Sequence, residues 1–181
     1  MNLSNNLHNK LIQYLVENTQ FTNWVLPSDE DLALEYKLEY DYKDLGYLIQ
    51  NRMEEYGYDV DEEIFPNAAS FIKAAKTGRV VTVTKSMDNS IEYRSGCGSV
   101  ECLISLIKGY ASYPKYRNED TIKAMSDGFD QNKPMKMPIV LQFTDGVYRV
   151  MGGNTRMDMA FIKGINPKVL IIDLRKFGKK I

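Results

Sequence analysis

Residues 148–164 read YRVMGGNTRMDMAFIKG, an alternating apolar segment that passes through two glycines, an amide, a hydroxyl and an arginine into a helical pattern. This spacing suits anion chemistry. Gly152 and Gly153 permit left-handed dihedrals and a close backbone approach, and the first N–H groups of the following helix attract negative charge. Asn154 and Thr155 add side-chain donors, and Arg156 adds a planar fork matched to two phosphate oxygens. The same residues also make an ordinary sharp turn closed by Asn154 or Thr155 as a helix cap. The pattern is neither the G-x-x-x-x-G-K-[ST] loop nor the dinucleotide G-x-G-x-x-G, so both readings stand on the local residues.

A second cluster is GYASYPKYR, residues 109–117, where Tyr110, Tyr113 and Tyr116 alternate with Lys115 and Arg117 behind Lys108. Aromatics interleaved with cations stack bases and neutralise phosphates, which makes Tyr113, Lys115 and Tyr116 candidates for contact with nucleic acid. Tyrosines that anchor a proline-containing loop to the core give the same pattern. Other chemistries are weakly supplied. Two cysteines and one distant histidine, His8, fall short of a structural zinc set. Cys97 and Cys102 lack the C-x-x-C spacing of a redox pair and are expected to be small unpaired residues rather than a disulfide. The acidic run 59–65 lacks the glycine and ligand spacing of a calcium loop and reads as a solvated start to a helix.

The elements that must hold these residues follow from periodicity. Helices are expected near 6–18, near 29–39 with Ser28 as cap and Asp29, Glu30 and Asp31 in its first turn, over 42–57, and over 65–78. From residue 79 the period shortens. RVVTVTK and SIEYRS alternate around SMDN, which predicts a hairpin over 79–95. Helices return at 98–110, with Ser99 as cap, and at 117–129, with Asn118 as cap. MPIVLQF, GVYRVM and KVLIIDL are strands, the first two joined by a tight turn at Asp145-Gly146. The helix 154–164 links the last two, with Asp158 one turn in and expected to face solvent.

The order helix, proline-started strand, Asp-Gly hairpin, strand, Gly-x-x-Arg turn, helix and final strand over about 113–174 resembles the ParB N-terminal/sulfiredoxin-like superfamily, the ParB-like nuclease domain, with similar proteins among tailed phages. The resemblance implies an α+β fold with a small mixed sheet, ParB/sulfiredoxin-like over 79–181, preceded by an acidic helical region over 1–78. It implies that Gly152, Gly153, Asn154, Thr155 and Arg156 hold nucleotide phosphates, with Arg117 and Lys136 as further contacts. By similarity to the free-serine kinases of the superfamily, Glu119 and Asp120 are the candidate general bases or Mg2+ ligands, and Arg156 stabilises the transferring group. The implied activity is ATP- or CTP-dependent phosphotransfer or nucleotide hydrolysis, with a ParB-like DNase or a non-catalytic nucleotide- or DNA-binding protein as alternatives. Asn154 and Thr155 stand where sulfiredoxins place cysteine and histidine, which argues against sulfinic-acid reduction. They also differ from the Glu-Arg of partition proteins, and no counterpart of those proteins' helix-turn-helix segment is expected after residue 175.

Charge is split along the chain. Residues 1–65 hold 14 acids against 4 Lys and Arg, and residues 66–181 hold 10 against 19, leaving −10 and +9 on the two parts. Either the basic part meets an anionic partner such as nucleotide or DNA, or the acidic part packs on it. No apolar run reaches the roughly 20 residues of a membrane span, and no signal peptide is evident. A soluble protein of the cytoplasm, the host's if phage-encoded, is expected.

Overall fold

The structure is a computed structural model and describes residues 21–41, 45–60, 63–88, 90–92, 95–109 and 118–181. Five strands form its sheet: β3 (Arg79–Thr82), β4 (Ile91–Glu92), β6 (Ile139–Thr144), β7 (Val147–Gly152) and β8 (Lys168–Asp173), in the order β3-β8-β6-β7-β4. Pairing is antiparallel for β3/β8 and β6/β7, and parallel for β6/β8 and β4/β7. The fold is α+β. The Asp145-Gly146 hairpin forms as expected, with Thr144 opposite Val147 and Gly146 at a φ of +80°.

Alternation along the central strands sends side chains into two separate cores. Ile139, Leu141, Phe143, Leu170 and Ile172 enter one, shared with Leu32 of α1 (Asp29–Glu35), Ile49 and Met53 of α2 (Leu45–Glu55) and Phe71 of α3 (Ala68–Lys76). Val140, Val150, Val169 and Ile171 enter the other, beneath Met157 of α7 (Asn154–Ile162). Both faces are therefore covered, which is why residues 139–141 and 169–172 read as continuous apolar runs. Each side chain so buried stabilises the fold by about 1.5–3 kcal/mol. A third cluster packs α5 (Val100–Gly109) and α6 (Glu119–Asp130) on α7, with Phe21, Trp24 and Phe129 in mutual ring contact.

Two expectations are corrected. Residues 79–95 do not form a hairpin: β3 and β4 lie on opposite edges of the sheet, and Ser86, Met87 and Asp88 fall in a single helical turn, α4 (Lys85–Asp88). Val83 and Met87 from that connection cover the α7 face, and this burial outweighs the local turn signal. The helix expected at 29–39 ends as an α-helix at Glu35 and continues as a π-helical stretch, Tyr36–Asp41. The expected helix at 6–18 lies outside the described residues.

The region 1–78 is not purely helical. β1 (Trp24–Val25) pairs in parallel with β5 (Met135–Lys136), and β2 (Tyr58–Asp59) pairs with β9 (Lys179–Lys180). The β1–β5 pair sets the geometry of the site, because it seats the start of α1 beside the strand that leads into β6.

Candidate anion-binding turn

β7 ends at Gly152, opposite Ile139 at the start of β6, and α7 begins two residues later. The N-cap of α7 is Gly153, at φ +83° and ψ +24°, and no side chain caps the helix. Asn154 and Thr155 lie inside the helix and neither serves as the cap. The first turn also carries no acid, so the positive end of the α7 dipole is not neutralised from its own sequence. Asn154 Oδ1 and Arg156 Nε are buried without a hydrogen-bond partner among the described residues.

Neutralisation arrives from α1. Glu35 Oε1 accepts from Arg156 Nη2 at 3.2 Å, and both side chains are about four-fifths buried, at 20% and 21% exposure. One helical turn earlier, Asp31 accepts from the ammonium of Lys136. Burial pushes the Asp31 carboxyl up, but the hydrogen bonds from Lys136 and Ser28 outweigh it and hold the group below the usual carboxylate range. Ser28 and Asp31 also close α1 with a reciprocal capping box, so the sequence that starts the helix fixes the direction in which its acids point. A cavity of about 140 Å³ remains between the elements, lined by Pro27, Asp31, Leu34, Glu35, Lys136, Ile139 and Arg156.

The glycines make this contact possible. A Cβ on Gly152 would stand 2.7 Å from the Glu35 carboxyl, and one on Gly153 would stand 2.8 Å from Arg156 Nη2 and 3.0 Å from Pro138 Cα. The close backbone approach expected of the pair is real, and a carboxylate uses it.

Of the residues singled out in sequence, the structure brings Lys136 and Arg156 to one cavity. It does not bring Glu119 or Asp120 into that cavity. Glu119 opens α6 and pairs with Lys123 at 2.7 Å and Lys108 at 2.9 Å; hydrogen bonds from Lys123 and Lys108 lower its pKa to about 2. A carboxylate so acidic is a weak base. Asp120 is exposed beside it. Arg117, Tyr110, Tyr113, Lys115 and Tyr116 lie outside the described residues. Among the described residues no group of three or more His, Cys, Asp or Glu could hold a metal ion, and Asp31 and Glu35 are each turned onto a cation.

Two side chains differ from expectation. Asp158 does not face solvent: it is 1% exposed and its Oδ2 accepts from the backbone N–H of Ser95. Cys97 and Cys102 form a disulfide, with Cα atoms 5.5 Å apart. The loop before α5 folds back far enough for Cys97 to meet the first helical turn, which the Ser99 cap fixes by accepting from the Cys102 N–H. Asp31 and Glu35 went unassigned as site residues in the sequence, where Asp31 reads as a first-turn acid and Glu35 as one more charge. Their signal lay in the opposite charge of the two parts of the chain.

Comparison with protein-family models, with curated proteins and with solved structures finds no match in any of the three. No helix among the described residues is long and apolar enough to cross a membrane.

Proposed function

We propose that this chain is a nucleotide-binding enzyme of ParB/sulfiredoxin-like architecture that holds the phosphates of ATP or CTP in the Gly152–Arg156 turn for phosphoryl transfer or hydrolysis. One observation carries the reading. Arg156, in the first turn of a helix with no side-chain cap, and Lys136 both line one small cavity, and two cations beside a helix start are donors a phosphate group can use. The cavity is enclosed on one side by α1, a shape suited to a phosphate group and not to the length of a DNA backbone. This favours nucleotide over nucleic acid as the ligand. Glu119 lies outside this cavity, paired with Lys123 and Lys108, and the carboxylates that line it are Asp31 and Glu35 of α1. No step is assigned to a metal ion.

The test is calorimetric titration with ATP and CTP. Arg156→Ala lowers the affinity by roughly tenfold or more, the loss of a charge-assisted contact. Full affinity in that variant sinks the reading.

A further inference from the structure

The cations at the turn already have anionic partners, and those partners form a pattern. Asp31 and Glu35 are four residues apart, hence on one face of α1 with their Cβ atoms about 6 Å from each other. Asp31 meets Lys136 and Glu35 meets Arg156. Glu35 goes further than an ion pair across a surface: its carboxyl lies in the space that the missing Gly152 side chain leaves, 2.7 Å from where a Cβ would be. A carboxylate at that place satisfies the chemistry a phosphate would satisfy, with one negative charge and two acceptor oxygens. The residual cavity, about 140 Å³, is well under the roughly 300 Å³ at which ligand pockets begin. A nucleotide does not fit while α1 keeps its present contacts.

We propose that Asp31 and Glu35 are a built-in competitor for a ligand bearing two or more linked phosphates, which binds by displacing both carboxylates from Lys136 and Arg156. The inference rests on the phosphate-turn reading above. Two carboxylates on two separated cations mark out a ligand with two anionic groups, so a diphosphate or triphosphate has the advantage over a single phosphate. A dianionic phosphate gives each cation more charge and more acceptors than a carboxylate, which is what allows the exchange. Apparent affinity is reduced by the fraction of molecules whose turn is open, so the contact sets a threshold ligand concentration and keeps the turn closed below it.

The test compares the unaltered chain with Glu35→Gln, Asp31→Asn, Asp29→Asn and Arg156→Ala, titrated with ATP, inorganic pyrophosphate and orthophosphate. Glu35→Gln and Asp31→Asn bind ATP and pyrophosphate about tenfold more tightly than the unaltered chain, within the usual range of coupling between competing sites. Asp29 pairs with Lys76 outside this cavity, so Asp29→Asn changes nothing. If Asp29→Asn tightens binding as much, the gain is general electrostatics and the competitor is refuted. If Arg156→Ala loses affinity while Glu35→Gln and Asp31→Asn gain none, the phosphate turn survives and the competitor falls. If no chain binds any of the three anions at millimolar concentration, both fall. Equal affinity for orthophosphate and pyrophosphate overturns the two-phosphate assignment. Should the α1 variants not fold, crystals of the unaltered chain soaked in pyrophosphate decide: Glu35 leaves Arg156 when the anion is bound, and retention of the 3.2 Å contact beside it refutes the proposal.

Discussion

The helices α6 and α7 pack on each other but begin in opposite ways. α6 is closed by its own sequence: Asn118 Oδ1 accepts from the Thr121 N–H at 2.9 Å, and Glu119 and Asp120 occupy the positive end of the dipole. α7 has neither device, and its Arg156 is met by Glu35, 121 residues earlier in the chain. A start that is complete in itself stabilises a helix. A start completed by a distant residue can exchange that residue for something else, so the contrast separates a scaffold from a site. α5 is an intermediate case, held by Ser99 and by the Cys97–Cys102 bridge.

The contrast is most severely tested at Gly153. Valine there must adopt a φ near +83° with its Cβ about 3.0 Å from Pro138 Cα, a backbone atom that cannot move aside. We expect Gly153→Val to lose about 3 kcal/mol of unfolding free energy in urea titrations; a loss under half that would mean the turn tolerates a side chain. Reduction of the α5 bridge comes next. Closing so short a loop stabilises by about 2 kcal/mol in the chain-entropy account, so dithiothreitol lowers the urea midpoint, and alkylation followed by mass spectrometry must find no free thiol beforehand.

Asn118→Ala and Asn154→Ala, one asparagine at the start of each helix, bear directly on the comparison. The first removes a working cap and costs about 1 kcal/mol. The second removes a buried oxygen that has no partner among the described residues, and leaves stability unchanged or raises it by up to about 1 kcal/mol. Equal losses would erase the difference between the two starts. The smallest effect is acid sensitivity. Glu119 titrates near 2 in the folded chain against an ordinary 4.5. Its contribution is complete above about 4.5 and is lost as pH falls toward 2, because the unfolded chain takes up the proton first. Glu119→Gln therefore flattens the decline of stability across that window, and an unchanged slope would remove Glu119 from the account of α6.

Sequence showed most clearly what is local. The strands 139–144, 147–152 and 168–173, the Asp-Gly hairpin and the caps Ser28, Ser99 and Asn118 each depend on residues a few positions apart, and each was readable. The sheet order was not, because the two-residue strand Ile91–Glu92 takes its partner from Tyr148–Arg149, and nothing near residue 91 specifies that. At the site, the glycines, Arg156 and Lys136 carry visible chemistry. Asp31 and Glu35 do not, since an acid in a surface helix has the same appearance whether it meets water or a cation a hundred residues away. Glu119 shows the converse: its place at a helix start is visible in the sequence, while its pairing with Lys108 comes from another helix.

The shared core has a consequence for synthesis. Leu32, Ile49 and Phe71 share their core with Leu141 and Ile172, so the faces that α1, α2 and α3 turn to the sheet stay uncovered on the ribosome until β8 has emerged. At roughly 5–20 residues per second, that exposure lasts on the order of ten seconds. During this interval the early helices are clients for a chaperone, and the nascent chain is at its most prone to aggregate before β8 is made.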